Sequence, residues 1–304
     1  MSGSWTKHNK SYTLFGTTFT MPPPRSQRPK VFLFDIGGVC VISPFQAILD
    51  YERANGIPPG WVNHSISATS PNGAWQKIER GEIPLDRAFF AEFKRDLTDE
   101  KRWRVFYSKH LAAHRKEKGS DAAEEAAYNV PPPPEIDAEW LYWEMMRVAR
   151  EPDPHMYPAL KRLRAAADAS EGKLVIAAMS NTSIFPEGHP FNDKSTPEGK
   201  QNAELKGLFD VFVSSAHVGM RKPAEDIYYY TLGRIAEFVR QKGWCDEGVR
   251  MEDLVFFDDI GGNLRTGRKV GMNTVKVVLG KTGAAVKELE KISGLSLAEG
   301  RAKL

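Results

Sequence analysis

Cysteine is nearly absent from this sequence: Cys40 and Cys245 are the only two in 304 residues. That excludes a disulfide framework and a cysteine-built metal cluster, and it suits a reducing compartment. No apolar run approaches the roughly 18 residues that a membrane-spanning helix needs. Charge of either sign is not in surplus, with 42 basic residues against 39 acidic ones and a formal +3. So slight an excess gives no reason to expect nucleic acid as a partner. The glycine patterns of Walker-type and dinucleotide-binding loops are missing as well. A chain that is 41% hydrophobic and 27% charged has the make-up of an ordinary globular protein, with material for one large core or two modest ones. A cytoplasmic location is the expectation, and nothing in the sequence specifies an oligomeric state.

Acids are missing altogether from residues 1–30, which carry Lys7, Lys10, Arg25, Arg28 and Lys30. An acid-poor leader with Ser and Thr has the composition of an organelle transit peptide. Only two arginines, no amphipathic period and the Pro22-Pro23-Pro24 break read instead as a disordered tail over residues 1–29.

What is present is organised around residues 31–43, VFLFDIGGVCVIS. Four apolar residues reading straight into Asp35 form a strand buried on both faces, as in parallel sheets. An acid there lies at the carboxyl edge of the sheet, where open α/β folds bind ligands; the plain alternative is the start of a turn. Gly37 and Gly38 let the backbone turn sharply and pass close to a ligand. Three further apolar runs end in polar residues: 173–179 in Ser180-Asn181, 211–215 ahead of Arg221-Lys222-Pro223, and 254–257 in Asp258-Asp259. Each has a local reading too: a turn or helix cap at Ser180, a surface lysine at Lys222 before a proline suited to a helix's first turn. A fifth strand is expected over 273–278 and a helical C-terminus after it.

Between the first and second strands the pattern is helical. Trp75, Ile78, Phe89, Phe90 and Phe93 recur at helical spacings around a break at Arg80-Gly81-Glu82, and Trp140, Leu141, Trp143, Met145 and Met146 form a second stripe. The expected organisation is an α/β core of 30–44 and 155–304, a parallel sheet flanked by helices. A helical subdomain, 45–154, is inserted after the first strand and holds a flexible, Pro-rich insertion near 114–134. Residues 184–206, polar and rich in Pro and Gly, read as a surface excursion.

Asp35, Ser180, Lys222 and the pair Asp258/Asp259 should therefore collect at one sheet edge. Three carboxylates gathered there need a hard divalent cation, and Mg²⁺ suits such a site. With lysine and Ser180-Asn181 as donors, and one carboxylate free to attack, the set reads as a phosphoryl-transfer site.

The ordered set FDIGGV, MSNTS, GMRKP and FFDDIGGN resembles the haloacid dehalogenase-like (HAD) hydrolases. The resemblance is to the group that includes the N-terminal phosphatase domain of soluble epoxide hydrolases and bacterial sugar-1-phosphate phosphatases. It covers residues 31–278, with IERGEIPLDRAFF resembling that group's helical cap. It implies a phosphatase for a small phosphorylated metabolite, with Asp35 as nucleophile and Ser180, Asn181 and Lys222 on the phosphoryl group. Asp259 and Asp35 would ligate Mg²⁺ with the Gly37 carbonyl, Asp258 would be a second ligand or orienting group, and Gly38 and Asn263 would support the loops. Glu79, Arg80 and Glu82 are candidates for touching substrate by their place in the cap-like stretch. One departure stands out: the family's phosphatases carry a second Asp, a general acid and base, where this chain has Gly37. A catalytically idle ligand- or partner-binding protein is the alternative from another class, and a 2-haloacid dehalogenase a third.

Overall fold

The computed structural model describes residues 11–14, 17–20, 28–117 and 130–298. Five strands form one parallel sheet: β3 (Lys30–Phe34), β4 (Leu174–Ser180), β5 (Val211–Ser214), β6 (Leu254–Asp258) and β7 (Asn273–Lys276). Their order is β5-β4-β3-β6-β7, and a separate antiparallel pair, β1 (Ser11–Leu14) with β2 (Thr17–Thr20), precedes them. That pair corrects the reading of residues 1–29 as wholly disordered. SYTL and TTFT are dense in Thr, Tyr and Phe, which suit strands; the neighbouring 1–10, 15–16 and 21–27 lie outside the described residues.

The central strands are buried on both faces because both faces are covered. Phe32, Phe34, Ile176 and Phe257 pack under α7 (Met156–Asp168) and α12 (Thr282–Ser293) through Leu160, Leu163 and Leu289. Val31, Leu33, Val175 and Phe256 pack under α10 (Glu225–Gln241) and α11 (Gly261–Lys269) through Ile227, Ile235 and Leu264. The chain runs outward from β3 through β4 to β5, then crosses back to β6 on the other side. The reversal of direction falls at β3, which places a crevice at its carboxyl end.

Helices α1 (Pro44–Ala54), α2 (Trp61–Ala68), α3 (Ala74–Glu79), α4 (Arg87–Leu97), α5 (Glu100–Glu117) and α6 (Ala138–Val148) share an apolar cluster of their own. Trp61, Phe89, Phe93, Leu141 and Tyr142 are buried in it. Residues 118–129, within the expected flexible insertion, lie outside the described residues. Its edges are not loose: α5 continues to Glu117, and the Trp103 indole donates to Pro131 O at 2.8 Å, so the proline run packs on these helices. The stretch 184–206, read as a surface excursion, lies at the surface and has structure of its own. It holds α8 (Pro197–Lys206), capped by Thr196, and it buries Phe191. Two phenylalanines, Phe185 and Phe191, leave no periodic signal in a polar segment, yet they pack on each other with ring centroids 4.7 Å apart. Among the described residues no helix is long and apolar enough to cross a membrane.

Candidate active site

Asp35 follows β3 directly. Its N–H still donates to Phe257 O at 2.9 Å, extending the β3–β6 ladder and delivering the carboxylate to the sheet's edge. The chain then curls tightly, with the N–H groups of Val39, Cys40 and Val41 all donating to Ile36 O. Gly38 turns this curl at φ +77°, and a Cβ there would meet Asp259 Oδ2 at 2.7 Å and Leu279 at 2.9 Å. Only glycine leaves the Asp259 carboxylate its place.

Lys222 is buried and its Nζ lies 2.8 Å from both Asp35 Oδ1 and Asp258 Oδ2. Burial would depress this ammonium, but Asp258 and Asp35 outweigh it and hold the group above the usual lysine range. Asp258 is enclosed further: its oxygens accept from Asn263 Nδ2 at 3.0 and 3.1 Å and from the Ile260 N–H at 2.7 Å. A buried charge needs such donors to be tolerated. Asn263 is itself tied down, since the Tyr228 hydroxyl donates to its carbonyl at 2.8 Å. Burial pushes the Asp35 carboxyl up to about 7 against the pull of Lys222. Burial, with Asp258 adjacent, pushes Asp259 up to about 6.

Asp35, Asp258 and Asp259 each offer a carboxylate oxygen within 4.8 Å of the others. Asp259 Oδ1 is buried and has no hydrogen-bond partner among the described residues. An enclosed carboxylate oxygen with no donor, next to like charge, is costly unless a cation meets it. The ligand atoms on offer are all oxygen, as hard divalent cations require. These residues fit such a metal.

Pro223 lies ahead of Ala224, the N-cap of α10, rather than in that helix's first turn. The Asn181 side chain, expected on the phosphoryl group, reaches the main chain of Lys222. Its Oδ1 accepts from the Lys222 N–H at 2.9 Å, and its Nδ2 donates to Lys222 O at 3.1 Å and reaches Glu79 Oε2 at 3.5 Å. Both ends of the amide are thus committed to the lysine's main chain and its neighbour, so the side chain braces Lys222. Ser180, at the end of β4, is buried, and its hydroxyl makes one long contact, 3.5 Å to Asn181 O.

A cavity of about 540 Å³ lies where the helical unit meets the sheet edge. Gly37 and Ser180 line it from the sheet side, Trp75, Glu79 and Tyr142 from the helices. Of the three cap-like candidates Glu79 faces this cavity, while Arg80 and Glu82 bond each other at 2.6 and 2.8 Å. The Glu79 carboxylate accepts from Arg221 Nε and Nη2, both at 2.7 Å, and its carbonyl accepts from Ser215 Oγ at 2.6 Å. Burial raises Glu79 even against Arg221. Arg221 and Ser215 were not singled out by sequence; Arg221 stood in plain view beside Lys222, with nothing to say that its partner was 142 residues away.

No known family model matches the chain. Acyl-CoA dehydrogenase family member 10 of Mus musculus is 25% identical over 93% of this chain and 20% of its own length. Bifunctional epoxide hydrolase 2 of Mus musculus is 32% identical over 35% of this chain and 17% of its own length. The chain thus spans a fifth or less of the curated relatives it matches. A solved structure described as a predicted HAD-like family hydrolase from Porphyromonas gingivalis covers 86% of this chain and 98% of its own, at 18% identity and TM-score 0.47. The parallel sheet with β3 at its centre, and the four ordered motifs at its carboxyl edge, agree with the resemblance to the haloacid dehalogenase-like hydrolases.

Proposed function

We propose that this chain is a Mg²⁺-dependent phosphatase acting on a small phosphate ester through an aspartyl-phosphate at Asp35. One arrangement carries the reading. Asp35 Oδ1 is held by the Ile36 N–H at 2.7 Å and by Lys222 at 2.8 Å, beside the donorless Oδ1 of Asp259. Asp35 Oδ2 takes no hydrogen bond among the described residues and is left to attack. It forms a bond to phosphorus as the bond to the leaving oxygen breaks, and the leaving group departs with that electron pair. A water oxygen then attacks the same phosphorus, freeing inorganic phosphate and restoring the carboxylate.

Lys222 and the Ser180 hydroxyl offset charge on the phosphoryl oxygens. Bound Mg²⁺, held by Asp35, Asp259 and the Gly37 carbonyl, would neutralise charge on the transferring group. Asp258, whose oxygens are occupied by Lys222, Asn263 and Ile260, orients the lysine in this reading, and Asn181 fixes the lysine's backbone. Helices α1–α6 act as a cap that closes over the site and selects the substrate.

Gly37 leaves no side chain to protonate the leaving group. General acid–base help contributes about 10²–10⁴ in rate, or roughly 3–5 kcal/mol at about 1.36 per decade. The loss weighs least where the leaving group is already good, as in a sugar 1-phosphate, an acyl phosphate or an aryl phosphate. The same residue favours a second reading, an idle site retained for binding a ligand or partner. A metal-free 2-haloacid dehalogenase is disfavoured by the donorless oxygen of Asp259.

Steady-state hydrolysis of p-nitrophenyl phosphate separates these readings. Turnover is expected with Mg²⁺ and is expected to vanish with EDTA or in Asp35→Asn. No turnover above the Asp35→Asn background would favour the idle reading, and halide release from a 2-haloacid in EDTA would favour the dehalogenase.

A further inference from the structure

Arg150 and Lys206 both line the cavity, and the fold pairs neither with a carboxylate among the described residues. Arg150 follows α6 on the return crossing from the helical unit to the sheet. The next two residues are stitched to the loop after Gly37: the Ile42 N–H donates to Glu151 O at 2.8 Å, and Pro152 bridges Val41. Arg150 and Gly37 line the same cavity. The guanidinium carbon sits 2.9 Å from the centroid of the Phe191 ring, a cation over an aromatic face. Its Nε is buried and finds no acceptor among the described residues.

Three nearby acids are engaged elsewhere. Exposed Arg147, three residues earlier, takes both Glu144 at 2.7 Å and Glu151 at 3.2 Å, and Glu79 is taken by Arg221. Glu198, on the same cavity wall, raises Arg150 without forming an ion pair with it, and burial still lowers the guanidinium to about 10. Lys206, across the cavity above Phe212, adds a second positive charge. A half-buried cation without a counter-charge is costly to a fold and is accounted for when a ligand supplies the anion. Trp75, Tyr142, Met146 and Phe185 give the wall an apolar part, beside polar residues such as Gln201 and Asn202. The size falls within the range of small-molecule sites.

We propose that the cavity takes a phosphate ester whose apolar body ends in a second anionic group, a carboxylate or a phosphate, and that Arg150 binds that group. The phosphoryl end of this inference rests on the phosphatase reading; the Arg150 end does not. A guanidinium presents a fork of N–H donors, which matches both anions.

The test is titration calorimetry in Mg²⁺ with three probes: phenylphosphonate, 4-carboxyphenylphosphonate and 1,4-phenylenebisphosphonate. At least one of the two probes with a second anion is expected to bind about tenfold or more tighter than phenylphosphonate, as a charge-assisted hydrogen bond implies. Which of the two gains more names the anion. In Arg150→Gln the gain is expected to disappear while phenylphosphonate binding stays within about twofold. In Arg150→Lys, which keeps the charge but loses the fork, part of the gain is expected to remain. Should Arg150→Gln fail to fold, Arg150→Lys decides, since an undiminished gain there means that the fork is not the receptor. No gain in the wild type, or a gain that survives Arg150→Gln, overturns the inference. Failure to hydrolyse p-nitrophenyl phosphate while the Arg150-dependent gain persists would overturn the phosphatase reading alone.

Discussion

At Gly38 a methyl group would meet Asp259 Oδ2 at 2.7 Å, whereas at Gly37 it would meet only Pro44 Cδ at 3.5 Å. The two neighbouring glycines therefore respond differently to substitution. Gly38→Ala strains a positive φ and pushes on a proposed metal ligand. The expected result is about tenfold or more weaker Mg²⁺ activation, read from the Mg²⁺ concentration that gives half-maximal turnover. At Gly37 a Cβ has room, and Gly37→Asp restores an acid where the family resemblance implies one. It should speed hydrolysis of an alkyl phosphate by about 10² or more while changing an aryl phosphate much less. A uniform effect across leaving groups would mean that the missing acid is not what limits the rate. Ionisation at this site also has a sign. Asp35 and Asp259 are raised to about 7 and about 6, so without metal the folded state holds their protons more tightly than the unfolded chain does. Their contribution to metal-free stability is then present below the unfolded carboxylate value near 4 and lost as pH rises through 6 to 7. A cation reverses the penalty, so Mg²⁺ should raise the unfolding temperature more at pH 8 than at pH 5. An equal rise at both would show that these carboxylates do not hold it.

At the scale of elements, β3, β4 and β6 were legible because a buried parallel strand is an unbroken apolar run, and each run ends at a residue of the candidate site: Asp35, Ser180 and Asp258. Asn181 was legible by position and not by role, because a side chain's partner across 41 residues leaves no mark on its own neighbourhood. The same holds for Glu79 and Arg221, which join α3 to the loop before α10, and for Phe191. Asn181→Ala removes the clamp on Lys222 and should lower kcat with a smaller effect on KM. A change in KM alone would point instead to direct substrate contact. The helical unit stands on its own apolar cluster, where Phe93 is fully buried between Phe89 and Trp75. Phe93→Ala should cost about 3–5 kcal/mol of stability, measured by denaturant unfolding, and a loss under 1 kcal/mol would mean that the cluster is loosely packed.

Across the whole molecule, four motifs separated by up to 224 residues meet at one edge because a parallel sheet with right-handed crossovers aims every strand end the same way. That topology made the candidate site readable from sequence before any distance was known. The cavity beside it was not readable, since its wall joins residues from α3, α6 and the stretch before α8, whose packing no local pattern encodes. The most direct measurement of the central claim is acid quench during turnover of p-nitrophenyl phosphate in Mg²⁺, followed by mass spectrometry of the peptide containing Asp35. The expected result is a phosphorylated Asp35 peptide that is missing in EDTA and in Asp35→Asn. Turnover with no phosphate on that peptide, or with phosphate on another residue, would contradict it.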